Sequence, residues 1–350
     1  QEGYSPPSLI YTLFDDTSKP EHGFDGYYYS RAHDENIRKR IEAGSNVLLM
    51  AAPLAGKSRA IYQALIALHG SHRIIIPKIA DIPNLQDFRI PACLGRGRKV
   101  LVLNDMDKYI AKQNFSHLLR EFLKAGTTVV ADCRSGPEYD MLCKYLEECH
   151  IEVSIVFGNP IEISSITREE AAVVSKSTHK KLPSTFDGNV GSIFLELDAM
   201  RERYKGLSPE GKSVLGSVRR LYYAGLYQER GVFAQERIKR LCREREGMDV
   251  KLYEWNALLD TLKKEGFIEI SKAGVRVEET YLESVIDGDV AALDNLRDMQ
   301  GYFVSDGEAL ISIGSRAYTI GLVDIQKAVY MSQAIAAYEQ ALSVFTLERF

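Results

Sequence analysis

The chain has 350 residues, 45% hydrophobic and 26% charged, with 44 lysines and arginines against 48 aspartates and glutamates, a soluble-protein composition long enough for two or three domains. A net charge of -4 and a pI near 6.1 give no global attraction to nucleic acid or an anionic membrane, so any DNA contact would need a local patch. No apolar run approaches a membrane span and no basic-then-apolar leader is present, while five cysteines without a Cys-x-x-Cys pair argue against a disulfide framework or structural zinc and for free thiols in a reducing, cytoplasmic setting.

Residues 1–26, rich in Pro, Gly, Asp and Ser, read as a linker or irregular extension, and an opening at Gln1 rather than methionine fits a piece of a longer polypeptide. Tyr27-Tyr28-Tyr29-Ser30-Arg31 follows. These aromatics and Arg31 would flank a bound base or contact phosphate, or else form a packed aromatic cluster. A helix is expected over about 34–43, stopped by Gly44.

The most informative stretch comes next. Val47 to Met50 form an apolar strand that runs through a small-residue loop into Gly56-Lys57-Ser58, and Ile61, Ala64, Leu65 and Leu68 then recur at helical spacing over 57–69. Strand, loop and helix start together make a cradle of backbone N–H groups for nucleotide phosphates. The candidate binding segment is Ala52, Pro53, Leu54, Ala55, Gly56, Lys57, Ser58 and Arg59. Gly56 lets the backbone approach phosphate, Lys57 brings a point charge to the β- and γ-phosphates, and the Ser58 hydroxyl can bind Mg²⁺. The consensus opens with glycine where Ala51 stands, so the loop is expected to turn without the left-handed freedom glycine gives.

Apolar strands at 73–77, 100–103, 127–131 and 152–157 alternate with helical patterns at 115–125 and 137–149. This rhythm predicts an α/β fold with a parallel sheet covered on both faces. Val100 to Leu103 deliver Asn104-Asp105 to the carboxyl end of a buried strand, where open α/β sheets bind ligands. Asp105 is the candidate carboxylate and would either hold Mg²⁺ through water or orient the attacking water. With Asn104 in the first acidic place, one carboxylate stands where two are usual, and slow hydrolysis is expected. The strand at 127–131 carries Arg134 to the same edge, where a guanidinium would read the γ-phosphate. Neighbouring Cys133 has no histidine partner by spacing and reads as an incidental thiol, and the seven histidines show no metal-ligand spacing.

After Asn159-Pro160 the pattern turns helical. Thr167 and Glu170 make a capping box, and a second helix is expected over about 190–204, so 159–206 reads as a helical lid. Residues 207–285 read as three helices and a hairpin, with strands 266–270 and 275–278 joined at 271–274, the pattern of a winged helix. Residues 286–350 return to helix.

The motif order, Ala51–Ser58, then Leu103-Asn104-Asp105, then Ala131-Asp132-Cys133-Arg134-Ser135, then lid and winged helix, resembles the STAND class of P-loop NTPases, relatives of AAA+ ATPases that include NACHT and NB-ARC switches. The stretches 103–109, 133–139 and 188–194 look like a bacterial subgroup. The resemblance covers about 27–285. It implies a P-loop domain (27–158), lid and winged helix, and an ATP/ADP switch: ADP holds a closed monomer, and ATP exchange opens it into a homo-oligomer that turns on an attached effector, in bacteria often for antiviral defence. By the same likeness Lys57 and Ser58 bind phosphate and Mg²⁺, Asp105 serves the acidic motif and Arg134 is the sensor. Ala334 to Arg349 resembles the second helix of a tetratricopeptide unit, implying that a repeat array follows.

Two rival functions draw on other features. Arg237, Lys239, Arg240, Arg243 and Arg245 in one helix suggest a winged-helix DNA-binding, ATP-dependent regulator, but Glu254, Asp260 and Glu265 on the presumed recognition helix oppose it. An AAA+ motor would need an acidic pair and a trans-acting arginine that the sequence does not supply.

Overall fold

The computed structural model describes residues 27–67, 72–77, 98–112, 114–184, 186–228, 231–248, 251–287 and 290–347. The expected linker over 1–26 and the helical position of Leu68 lie outside the described residues. The chain divides into two compact units between Leu195 and Glu196.

The first unit is built on five parallel strands: β1 (Val47–Ala51), β2 (His72–Ile75), β3 (Arg98–Leu103), β4 (Thr128–Arg134) and β5 (Ile161–Glu162), in spatial order β2-β3-β4-β1-β5. They are nearly all apolar because both faces are covered. On one face α1 (His33–Glu42) and α2 (Lys57–Ala67) close a core with Ile37, Ile41, Leu49, Ile61, Leu65, Val100, Val102 and Val130. Helices α3 (Phe115–Lys124) and α4 (Pro137–Glu148) pack on β4, and α3 offers it the fully buried Phe115, Leu118 and Leu119.

One strand is misplaced by sequence. Residues 152–157 form not a strand but α5 (Val153–Phe157), and the fifth strand is Ile161–Glu162, beyond Pro160. Periodicity alone does not separate a short apolar run of β-branched residues from a buried helix turn. The burial decides it: Val153 and Phe157 are buried four residues apart while Ile155 between them is 76% exposed. Arg40 donates to the carbonyls of Phe157 and Asn159, and Asn46 Nδ2 donates to the Val156 carbonyl at 2.9 Å. These bonds satisfy the helix-end carbonyls that have no partner within the helix.

Helices α6 (Arg168–Thr178) and α7 (Val190–Leu195) complete this unit, and α6 begins with the expected capping box, Thr167 Oγ1 accepting from the Glu170 N–H and Glu170 accepting from the Thr167 N–H. The helix expected over 190–204 is broken at Glu196, whose φ of 49° is left-handed, and α8 (Leu197–Gly206) starts the second unit.

The second unit continues with α9 (Pro209–Tyr223), β6 (Val232–Phe233), α10 (Gln235–Glu246), α11 (Leu252–Lys264), β7 (Ile268–Ser271), β8 (Gly274–Val277) and α12 (Glu279–Ser284). β8 pairs antiparallel with both β7 and β6, so the expected hairpin gains a third strand. A two-residue strand carries too short an alternation to be read from sequence. Helices α13 (Ala292–Tyr302), α14 (Gly307–Gly321) and α15 (Lys327–Leu347) end the described chain, and α14 sets Gly307, Gly314 and Gly321 against Phe345, Tyr338 and Tyr330 of antiparallel α15. Among the described residues no helix is long and apolar enough to cross a membrane.

Candidate functional site

The sheet order brings the carboxyl ends of β1, β4 and β3 side by side, and the segments that follow them carry the chemistry. From β1 the chain turns through Ala52, Pro53, Leu54 and Ala55 into α2. Left-handed backbone occurs at Leu54 (φ 62°) and Gly56 (φ 93°) and not at Ala51. Ala51 is the last residue of β1, in register with Arg134. The substitution of alanine for glycine therefore falls on extended backbone that alanine adopts freely, and the expected difficulty in turning does not arise.

Around the loop, Ala52 and Pro53 are exposed, Leu54 is half-buried and Ala55 is buried. A Cβ on Gly56 would come within 3.0 Å of Arg31 Nη2 and 3.3 Å of Val190, so only glycine leaves the loop open between these neighbours. Gly191 of α7 donates its N–H to the Leu54 carbonyl at 2.8 Å. The first N–H groups of an α-helix lack an acceptor within the helix, so the head of α2 is where N–H donors for an anion are expected. Lys57 is 7% exposed, and its Nζ makes two long bonds, 3.5 and 3.4 Å, to the Ala51 and Ala52 carbonyls. Arg59 lies 5.2 Å from the Tyr62 ring centroid and 6.0 Å from that of Tyr28.

The upstream aromatics resolve into two roles. Tyr27 and Tyr29 pack with Ile166, Ala171, Val174 and Ile193, and the Tyr29 hydroxyl donates to Glu170 at 2.8 Å. That is the packed cluster rather than a base sandwich. Asp34 accepts from the Tyr28 hydroxyl, Ser30 Oγ and the Arg31 N–H, which fixes Arg31 at the head of α1.

Beyond β3, Asp105 takes a left-handed backbone (φ 51°) and begins a 3-10 turn, Met106–Lys108, with Lys108 Nζ 3.1 Å from its carboxylate. Arg134 ends β4. The residue whose place the sequence reading missed is Asp132, two residues before the end of that strand and 0% exposed. One of its carboxylate oxygens accepts from Ser58 Oγ at 3.2 Å and the other from the Asp105 N–H at 3.0 Å. The sequence signal was alternation: Val130, Asp132 and Arg134 share one face of β4, and that face meets α2.

The electrostatics follow from this crowding. Burial raises the Asp132 carboxyl to about 7, with the neighbouring Asp105 charge adding to the rise and Lys57 opposing it. Burial and the Asp105 charge likewise raise Asp107 to about 6. Burial acts upward on Asp105 too, but the positive charges of Lys108, Lys57 and Arg134 outweigh it and hold the group at about 2. Asp105 thus carries the standing negative charge. Burial pushes the Cys133 thiol far up, away from a nucleophilic thiolate.

The donor set fits a nucleotide with Mg²⁺. It comprises a hydroxyl, hard carboxylate oxygens, helix N–H donors and a buried lysine, and the buried oxygens Asn104 Oδ1 and Asp107 Oδ1 lack hydrogen-bond partners. Among the described residues no three histidine, cysteine, aspartate or glutamate side chains converge to hold a metal by themselves. Mg²⁺, which takes one or two carboxylates and completes its shell with phosphate and water, suits such a site.

No model of a known protein family matches the sequence, and no curated protein matches it. Among solved structures the chain is similar to the Walker-type ATPase PABY2304 of Pyrococcus abyssi, at 13% identity over 78% of this chain and 99% of that one, TM-score 0.37. It is also similar to the Aeropyrum pernix ORC1 protein solved with DNA, at 14% identity over 73% and 92%, TM-score 0.37. A third is the Pyrococcus horikoshii STAND protein PH0952 with a tetratricopeptide-repeat sensor, at 11% identity over 90% of this chain but 58% of that one, TM-score 0.34.

Proposed function

We propose that the first unit binds ATP or ADP with Mg²⁺ as a P-loop NTPase. The observation that carries this reading is the buried Lys57 ammonium at the start of α2, beside Ser58, whose hydroxyl already meets a carboxylate. Lys57 and the N–H groups at the head of α2 would neutralise phosphate charge, and Ser58 with Asp105 would hold Mg²⁺. The bound metal supplies Lewis-acid neutralisation of phosphate oxygens. Arg134, at the strand end in register with Ala51, would meet the terminal phosphate through the forked donors of its guanidinium. Arg31 lies against the loop at Gly56.

The finer reading is a STAND-type switch that changes state with its nucleotide, oligomerises when active and passes the change to an effector, with antiviral defence as its setting. What supports a switch is the attachment of α7 to the loop through Leu54 and Gly191, since a helix bonded to a phosphate loop is displaced when the loop rearranges. The division of the remaining chain into a helical lid, a winged helix over 207–285 and a possible first repeat belongs to the same reading.

The test is a thermal-shift titration of the purified protein with ATP and ADP, with and without Mg²⁺, alongside chromatography of any nucleotide released on denaturation. A shift that is lost in Lys57→Ala is expected. A wild-type protein that neither shifts nor releases nucleotide overturns the reading.

A further inference from the structure

The sequence leaves the metal side of this site one acid short, because Asn104 stands first in the pair that follows β3. The topology offers a replacement. β4 lies between β1 and β3, so a side chain near its carboxyl end on the α2 face reaches both strand-to-loop junctions. Asp132 is that side chain. It is 0% exposed, and each of its oxygens is engaged: one accepts from Ser58 Oγ at 3.2 Å, the other from the Asp105 N–H at 3.0 Å. An aspartate buried next to Val129, Val130 and Ala131 is costly to the fold, and the groups it engages are the hydroxyl and the carboxylate residue assigned to Mg²⁺ above. Among the described residues the buried Lys57 ammonium makes two hydrogen bonds, both long and both to loop carbonyls, which leaves it able to meet a further anion.

We propose that Asp132 is the second carboxylate of the magnesium site, supplied from the neighbouring strand in place of the acid that Asn104 lacks. It is a positioning residue: it aims the Ser58 hydroxyl, fixes the turn that carries Asp105, and adds carboxylate oxygens to the standing charge of Asp105 where the metal would sit. The inference rests on the phosphate-loop reading above.

The experiment measures binding of a fluorescent ADP analogue to the full chain in Mg²⁺ and in EDTA, for wild type, Asp132→Asn, and the double variant Asn104→Asp/Asp132→Asn. Asparagine keeps the shape and an acceptor oxygen for the Asp105 N–H, and circular dichroism verifies the fold. The wild type should bind about tenfold or more tighter with Mg²⁺, the size of effect that outer-shell carboxylates exert at metal sites. Asp132→Asn should gain less than about twofold from Mg²⁺ over its own affinity in EDTA, and the double variant should recover part of the gain. Mn²⁺ with ADP, followed by electron paramagnetic resonance, should show the bound-metal signal weakened in Asp132→Asn without any turnover. A wild-type-like Mg²⁺ gain in Asp132→Asn, or an equal loss with and without Mg²⁺, overturns the inference and makes Asp132 a structural acceptor. Wild-type binding without a Mg²⁺ gain overturns it while the nucleotide reading stands. No wild-type binding in either condition overturns both.

Discussion

Gly191 donates its N–H to the Leu54 carbonyl at 2.8 Å, and a Cβ on Gly191 would lie 2.8 Å from that same oxygen and 3.0 Å from Leu54 Cβ. The obstacle is backbone at a residue already in left-handed conformation, so neither partner yields easily. Gly191→Ala is expected to cost about 1–3 kcal/mol and to reduce the nucleotide-induced thermal shift with it. Differential scanning fluorimetry with and without ADP measures both; an unchanged melting temperature and shift would show that α7 does not bear on the loop.

Asp132 gives a pH signature. Its carboxyl is raised from an ordinary 3.8 to about 7, so between those values the folded state binds more protons than the unfolded. Stability attributable to this group is therefore greatest at low pH and is lost as pH rises through the window, with Asp107, raised to about 6, acting in the same direction. Asp105, held at about 2, acts oppositely and loses its contribution only as pH falls below the ordinary carboxylate range. In metal-free, nucleotide-free buffer Asp132→Asn should be more stable than wild type at pH 8, by an amount on the order of 2 kcal/mol, with the difference vanishing towards pH 4. Urea melts at several pH values give the difference; a constant offset would contradict it.

Asn46 joins three segments. Its Oδ1 accepts the Val129 N–H at 2.8 Å and its Nδ2 donates to the Val156 carbonyl at 2.9 Å. Asn46→Ala leaves a buried strand N–H without an acceptor, at a cost of about 1–3 kcal/mol. Hydrogen exchange should locate the effect, with faster exchange at Val129 and at the α5 amides; unaltered protection there would refute it.

The basic run on α10 is largely answered by acids. Arg237 forks onto Asp306 at 3.1 and 3.2 Å, Lys239 bonds Glu236, and Arg240 and Arg243 reach Glu244. Lys239 also lies 5.7 Å from the Trp255 ring. Phosphate binding would have to break these pairs, so duplex DNA should bind no tighter than about 100 µM at physiological salt, the weak end of non-specific affinity, with a shallow salt slope. Fluorescence anisotropy with a labelled duplex checks this, and micromolar, steeply salt-dependent binding would restore the DNA-binding regulator.

The positions of the 52–58 loop, Asp105 and Arg134 at one sheet edge were legible because each lies at the end of a run of apolar β-residues, and strand ends in a parallel sheet gather at one edge. Asp132 was not, because a carboxylate inside Val129-Val130-Ala131-Asp132-Cys133 gains its meaning from strand order, and the neighbours β1 and β3 are not written locally. The Ala51 position misled for a related reason: the motif names a residue type, while the backbone angle that matters sits three and five residues later, at Leu54 and Gly56. The α5 segment failed on length, since five residues carry less than two helical turns of pattern.

β4 is gripped near both ends by side chains rather than by its ladder alone. Asn46 takes the N–H of Val129, and three residues on, about 10 Å along the strand, Asp132 takes Ser58 and Asp105. A slip of one residue would turn Asp132 to the opposite face and break both grips together. The strand is therefore the surveyor's benchmark of this molecule: two segments from different parts of the sequence are levelled against one buried aspartate.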